Sequence, residues 1–152
     1  MADLHPLVGV SEQARVVVPQ ARTYARERAL QALYQWSLAG HDIKTIEEQF
    51  LAEQPMERVD VDYFLLLLHG VPAHIGELDQ EISPLLDRKI SQLDPIEHSI
   101  LRMGCYELKY QKEVPWRTVI DEGVKLAKKF GAADESYKYV NGVLDKLARK
   151  QL

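Results

Sequence analysis

Apolar side chains recur every three or four residues from Thr23 to the end of this 152-residue chain. In the first such segment Ala29 and Leu33 share one helix face, and in the last segment Val140 and Leu144 do the same. This period is that of an amphipathic α-helix, whereas a half-buried strand needs strict alternation of apolar and polar residues. Alternation persists nowhere long enough to indicate a sheet. The pattern therefore predicts an all-α fold with six or seven helices.

Helix boundaries are clearest where capping residues precede an apolar run. Asp94-Pro95-Ile96-Glu97 places an N-cap candidate before a proline at the first helical position, with a glutamate three residues after the cap. Asp42 is a second N-cap candidate, and Gly40 is a helix stop. Residues 74–90 keep the helical period, so we expect a helix there with a bend or a junction at Pro84.

The chain has the length of one domain. Residues 1–20 show no sustained period, which predicts a mobile tail before a single helical domain over residues 21–152. The single cysteine, Cys105, excludes an intramolecular disulfide and is typical of a reducing cytoplasm. The longest apolar run, residues 63–68, is far shorter than the roughly 20 residues that a membrane helix needs. We therefore expect a cytoplasmic protein without membrane contact.

The net charge of -4 conceals a partition along the sequence. Residues 42–97 carry 4 basic and 13 acidic side chains, whereas residues 98–152 carry 11 basic and 7 acidic ones. Residues 21–36 are also net positive, with 3 basic side chains against 1 acidic one. A basic surface built from both ends of the helical region is expected, with the acidic middle facing elsewhere. Such polarity suits a protein that lies between an anionic polymer and a basic protein partner.

The common patterns of catalytic and cofactor sites are absent from the sequence. The eight glycines are at least six residues apart, which excludes a phosphate-binding glycine loop and a dinucleotide fingerprint. His69 and His74 are five residues apart and would diverge on a helix, so a histidine metal site is not expected. No Gly-x-Ser-x-Gly motif is present for a nucleophile. We expect no catalytic residue, no cofactor and no metal.

Two segments combine cations with aromatic rings, near the start of the first helix and near the start of the last. Cations that follow the phosphate backbone, together with rings that stack on unpaired bases, are what single-stranded RNA requires. The candidates are Arg22, Tyr24, Arg26, Tyr34, Lys138 and Tyr139. Packing of the tyrosines in the core and solvation of the arginines remain the alternative, because aromatic residues on helices are usually buried.

Four stretches of the chain also carry a resemblance to a known family. They are residues 25–34 (ARERALQALY), 100–108 (ILRMGCYEL), 119–128 (VIDEGVKLAK) and 139–145 (YVNGVLD). Their order and spacing resemble those of the bacterial transcription antitermination factors of the NusB family, from about residue 22 to the end. The resemblance implies an all-helical fold of two small packed helical subdomains, and a role without catalysis.

The resemblance implies partners and site residues as well. Members of the family bind the boxA element of nascent RNA together with the ribosomal protein NusE. They act in the antitermination complex of RNA polymerase and support read-through of terminators, notably in ribosomal RNA operons. The positions that match the RNA surface of the family are Arg22, Arg26, Tyr34, Asp134 and Tyr139, with Lys138 beside them. Glu97 matches an acidic position on the NusE side.

The chain departs from the family pattern at one site, and two other protein classes are alternatives. The arginine cluster at residues 22–26 is sparser than in some relatives, so we expect fewer phosphate contacts. The helical module also resembles the N-terminal domain of ribosomal RNA cytosine methyltransferases, but residues 1–152 contain no methyl-donor domain with its catalytic cysteine, so we do not expect methyl transfer. A third possibility is a helical oligomerisation module that uses the apolar face of residues 64–68. Whether the chain forms a homodimer stays open.

Overall fold

The computed structural model describes residues 20–151, and within this range the chain forms seven α-helices and no strand. The helices are α1 (Ala21–Ala39), α2 (Ile43–Glu53), α3 (Val61–Ala73), α4 (Ile75–Ile82), α5 (Pro95–Tyr110), α6 (Trp116–Phe130) and α7 (Ser136–Gln151). Two 3-10 turns, Ser83–Leu85 and Ile90–Gln92, lie between α4 and α5. The predicted all-α class is confirmed. The tail expected over residues 1–20 lies outside the described residues, apart from Gln20.

Capping residues fix the helix boundaries. Asp42, Asp60 and Asp94 each accept a hydrogen bond from a backbone N–H in the first turn of α2, α3 and α5. Such a cap typically contributes about 1 kcal/mol, because it satisfies a donor that has no partner within the helix. Gly40 follows α1 with a φ of 71°, a left-handed conformation that glycine adopts without strain. The boundaries predicted at Gly40, Asp42 and Asp94 are confirmed.

The helices pack in two groups, which correspond to the two subdomains that the family resemblance implies. Helices α1, α2 and α3 contact one another, and α4 to α7 form the second group. Helix α5 joins the groups, because it packs against α1 and α3 as well as against α4, α6 and α7. The continuous core includes Leu30, Leu33, Ile46, Phe64, Leu67, Leu68, Leu78, Ile82, Ile100, Leu101 and Leu144.

Two glycines allow α5 and α6 to approach α7 closely. A Cβ added to Gly104 in α5 or to Gly123 in α6 would lie 2.5 Å from a methyl carbon of Leu144 in α7. That separation is shorter than any normal carbon contact, so both positions require the absence of a side chain. The middle of α7 is thereby held against both neighbouring helices.

The break expected at Pro84 within residues 74–90 is confirmed, but the expectation that the chain stays helical after it is wrong. Helix α4 ends at Ile82, Pro84 lies in a 3-10 turn, and residues 86–89 are not helical. Proline has no backbone N–H and therefore cannot continue the hydrogen-bond ladder of the helix. The chain leaves the helical path here and brings Arg88 over the ring of Tyr139 in α7.

The apolar face that suggested an oligomerisation module is used inside the chain. Phe64, Leu67 and Leu68 have no exposed surface and belong to the core. These three residues are therefore not available for self-association, whereas Leu65 and Leu66 are half-buried. None of the helices within residues 20–151 has the length and apolar content needed to cross a membrane.

Candidate RNA interface

The start of α1 presents one cation and one aromatic ring at the surface. The side chain of Arg22 is 46% exposed, and its Cζ lies 4.2 Å from the ring centroid of Tyr63. Its Nε is 3.5 Å from a carboxylate oxygen of Asp60. Tyr24 is half-buried, donates a hydrogen bond to the side chain of Gln20, and lies below the guanidinium of Arg58. Both residues can therefore reach a ligand that lies along the first turn of α1.

Arg26 is not at this surface, contrary to the expected exposure. Only 3% of the surface of Arg26 is exposed to solvent. Its Nε and one terminal nitrogen donate to the carboxylate of Glu107 in α5, with a shortest distance of 2.7 Å. Its other terminal nitrogen lies 3.5 Å from Glu122 in α6. The guanidinium is thus occupied by two buried carboxylates and is not available to an RNA phosphate in this conformation.

The buried cluster around Arg26 is completed by Tyr63, whose hydroxyl donates a hydrogen bond to Glu107. Burial alone would lower the pKa of Arg26, but hydrogen bonding and charge from Glu107, with a contribution from Glu122, raise it above its ordinary value. Burial, followed by the negative charge of Glu107, raises the pKa of Tyr63. Arg26 therefore stays charged and Tyr63 stays protonated. The cluster connects α1, α3, α5 and α6.

Tyr34 lies apart from Arg22 and Tyr24. It is half-buried in the second half of α1, ten residues beyond Tyr24, which corresponds to about 15 Å along the helix axis. Its backbone carbonyl accepts a hydrogen bond from the hydroxyl of Ser37. The structure therefore does not bring the four predicted residues of α1 into one compact surface cluster, since Arg26 is buried and Tyr34 is distant.

The start of α7 presents exposed charges. Asp134 lies exposed in the connection between α6 and α7, and the side chain of Lys138 is 61% exposed. The ammonium of Lys138 lies 3.0 Å from a carboxylate oxygen of Glu135. Exposed pairs of this kind contribute little stability, so the ammonium can exchange this partner for another anion at small cost.

Tyr139 is half-buried and carries Arg88 on its ring. The Cζ of Arg88 lies 4.5 Å from the ring centroid, and the guanidinium donates two hydrogen bonds to Asp87, at 2.7 and 3.2 Å. The Tyr139 hydroxyl is buried and has no hydrogen-bond partner among residues 20–151. Burial and then the charge of Asp87 raise the pKa of Tyr139, so the phenol stays neutral. A stacking ligand on this side would meet Arg88 before it met the tyrosine.

Glu97, the expected partner-binding residue, is also turned inward. It is 6% exposed, and a carboxylate oxygen accepts a hydrogen bond of 2.7 Å from the hydroxyl of Ser136, the first residue of α7. This burial contradicts the exposed position that a direct contact with a partner requires. In the structure Glu97 holds the start of α7 against α5.

Comparison with known proteins identifies the group to which the chain belongs. A family model described as the NusB family matches residues 23–149. The chain belongs to the NusB family. It is similar to the transcription antitermination protein NusB of Alcanivorax borkumensis, with 55% identity over 132 residues that cover 87% of each chain. It is therefore an antitermination factor of the NusB family, as the sequence motifs predicted.

Solved structures of NusB proteins share the fold. NusB of T. maritima has 29% sequence identity and a TM-score of 0.73, with 85% of this chain and 91% of that chain covered. A chain in the crystal structure of antitermination factors NusB and NusE in complex with dsRNA has 31% identity and a TM-score of 0.71, with 87% and 98% covered. The fold agrees over most of both chains in each case.

Several residues near the NusB-family motifs were missed in the sequence. Arg88 was assigned to a helix, whereas it lies in a loop over Tyr139. Lys125 and Lys128 are not among the site residues expected from the sequence, but both line a groove with Tyr137 and Lys138. The spacing of Lys125 and Lys128, three residues apart on one face of α6, was the signal available. Residues 20–151 contain no group of three or more histidine, cysteine, aspartate or glutamate side chains placed to hold a metal ion.

Proposed function

We propose that this NusB-family protein binds the boxA element of nascent RNA together with NusE and supports read-through of terminators in ribosomal RNA operons. It acts as a non-catalytic adaptor for the RNA polymerase antitermination complex, in the cytoplasm where transcription takes place. The relationship to NusB proteins supports the proposal, since one related structure contains NusB with NusE and RNA. The observation that carries it is that an exposed cation and a half-buried tyrosine lie together at the starts of two helices, Arg22 with Tyr24 on α1 and Lys138 with Tyr139 on α7.

The proposed RNA surface uses most of the residues expected from the sequence. Arg22 and Lys138 supply charge to phosphates, while Tyr24 and Tyr139 supply rings. Asp134 repels phosphate, but it can accept hydrogen bonds from base amino groups and so favours certain bases. Tyr34 contacts RNA only if the strand continues along the second half of α1.

Arg26 and Glu97, two residues expected to contact RNA and NusE, instead position the helices that carry the RNA surface. Arg26 holds α1 against α5 and α6 through Glu107 and Glu122, and so positions Arg22 without touching RNA. Glu97 holds Ser136 and thereby fixes the start of α7. We keep the start of α5 as the NusE side of the protein, and Glu97 then affects the partner indirectly, through the position of α7.

The alternative function, RNA methyl transfer, is suggested only by the resemblance of this helical module to the N-terminal domain of ribosomal RNA cytosine methyltransferases. A methyl-transfer role predicts binding of S-adenosylmethionine, which calorimetry measures directly. We expect no binding.

The proposal is tested by fluorescence anisotropy with labelled single-stranded RNA. One RNA contains boxA and the control RNA has the same composition in scrambled order. We expect tighter binding to boxA than to the scrambled RNA, and a further gain when NusE is present. Equal affinity for both RNAs, with no effect of NusE, would show that the proposed function is wrong.

A further inference from the structure

A groove of about 700 Å³ runs between α6 and α7, on the side of α7 that carries Tyr137. Its basic and polar lining includes Lys125, Lys128, Lys138 and Asn141. The Lys128 ammonium lies 4.8 Å from the centroid of the Tyr137 ring, and the Lys138 ammonium lies 6.0 Å from it. Two cations therefore flank one half-buried aromatic ring at this end of the groove.

Lys128 is the most available cation of this groove, because Lys125 pairs with Glu122 at 3.1 Å and Lys138 pairs with the exposed Glu135 at 3.0 Å. Arg102, Lys109 and Lys150 form ion pairs with acidic side chains of α4. Lys128, in contrast, is exposed and has no carboxylate within ion-pair distance among residues 20–151. The basic character predicted for residues 98–152 is thus partly neutralised on the α4 side, while Lys128 in the α6–α7 groove forms no ion pair among residues 20–151.

Acidic side chains also line the groove, and their positions limit where an anion can lie. Asp121 is exposed two turns before Lys128, toward the N-terminal end of α6. Glu122 is buried and is neutralised by Lys125 at 3.1 Å and by Arg26 at 3.5 Å. An anion is therefore best placed at the end formed by Lys128, Tyr137 and Lys138. The exposed Glu135 pairs with Lys138 there, but an exposed pair of this kind is weak and a phosphate can replace the carboxylate.

Helix α6 also lies between the two parts of the proposed RNA surface. Lys129 forms an ion pair of 3.0 Å with Glu27 in α1, and Glu122 contacts Arg26 of the same helix. On its other side α6 packs along α7. The shortest path for an RNA strand between the starts of α1 and α7 therefore runs across the surface of α6.

We propose that the α6–α7 groove binds the phosphate backbone of single-stranded RNA through Lys125, Lys128 and Lys138, and so joins the two ends of the RNA surface. The inference rests on the proposed function, since it extends the same RNA contact. Lys128 and Lys138 bind adjacent phosphates, and Tyr137 supplies an apolar wall for a sugar or a base. Asn141 offers an amide that can donate to a 2′-hydroxyl or accept from it.

The test is the salt dependence of boxA RNA binding in the presence of NusE. Each phosphate contact in a single strand contributes about 0.7 to the slope of log affinity against log salt. The double variant Lys125→Gln/Lys128→Gln is compared with Lys44→Gln/Lys112→Gln, which removes the same charge from exposed sites outside the groove. We expect the groove variant to lower the slope by about 1.4 and the affinity by roughly tenfold at 0.1 M salt. The control pair leaves the slope unchanged.

The single variant Lys128→Gln separates a loss of RNA contact from a loss of folding stability. Lys128→Gln breaks no ion pair among the described residues, and we expect it to produce about half of the change in slope. Equal slopes and affinities for the groove and control variants would overturn the inference while leaving boxA binding by the wild type intact. Weaker NusE binding with unchanged RNA binding would also overturn it, because the groove would then serve a protein. A wild type that does not distinguish boxA from scrambled RNA would remove both proposals.

Discussion

At the residue scale, Arg26 shows how a residue expected at a surface becomes part of the interior. Its carboxylate partners, Glu107 and Glu122, are 81 and 96 positions away in the chain. Sequence spacing identifies which residues share a helix face, but it contains no information on which distant helix will cover that face. The burial of Arg26 could therefore not be predicted, whereas the exposure of Arg22, one helical turn earlier, agrees with the expectation.

Replacement of Arg26 tests its structural role. Arg26→Ala leaves two buried carboxylates without their cation, and breaking a buried pair in this way costs about 3 to 5 kcal/mol. We expect a loss of that size in the free energy of unfolding, measured by urea titration. Arg22→Ala is the control, because an exposed ion pair contributes less than about 1 kcal/mol. Equal stability of the two variants would contradict the buried cluster.

Two substitutions of Tyr139 separate its contribution to packing from its contribution to RNA binding. Tyr139→Phe removes a buried hydroxyl that makes no hydrogen bond within the described residues, so we expect unchanged or slightly higher stability and unchanged RNA affinity. Tyr139→Ala removes the ring below Arg88 and should weaken boxA binding by roughly 1 to 3 kcal/mol. Anisotropy measures affinity, and a urea titration of each variant checks the fold. Equal RNA affinity of Tyr139→Ala and wild type would return the ring to a packing role alone.

At the scale of the elements, the sequence predicts helices better than it predicts the breaks between them. The starts at Asp42 and Asp94 are local features, since the capping side chain and the free N–H groups are within three residues of each other. The sequence indicates a junction at Pro84, but it wrongly indicates a helix up to residue 90, because the apolar period continues through a 3-10 turn and a loop. That error hid the loop that places Arg88 on Tyr139.

Glycine substitutions test the close packing of α5 on α7. Gly104→Ala would place a Cβ 2.5 Å from a methyl carbon of the buried Leu144, and we expect a loss of about 1 to 3 kcal/mol in stability. Gly142→Ala in α7 is the matched control, because nothing lies within 4 Å of its added Cβ. Alanine is the better helix former, so this change should stabilise the protein by about 0.5 to 1 kcal/mol. Thermal unfolding measures both effects, and a stabilising Gly104→Ala would contradict the packing described.

At the scale of the whole molecule, opposite charges hold the acidic middle of the chain to its basic C-terminal half. Burial alone would raise the pKa of Asp79 in α4, but hydrogen bonds from His98 and Arg102 in α5 outweigh it and lower the pKa to about 2. Because this pKa is lower in the folded chain than in the unfolded chain, the stabilisation is present above about pH 4. It is lost as the pH falls toward 2.

The pH dependence of stability checks this contribution. Urea unfolding of the wild type and of Asp79→Asn is measured between pH 6 and pH 2. We expect the wild type to be the more stable at pH 6, with a difference that shrinks as the pH falls from about 4 to 2. A difference that stays constant over this window would mean that the Asp79 charge does not stabilise the fold.

The antitermination activity proposed for the whole molecule is measured as read-through of a terminator. A transcription extract from the source bacterium, depleted of this protein, is given a template with boxA upstream of a terminator and a control template with scrambled boxA. We predict that the wild-type protein restores read-through on the boxA template alone, and that Lys138→Glu/Tyr139→Ala does not. Equal read-through on both templates, or full activity of that double variant, would contradict the account.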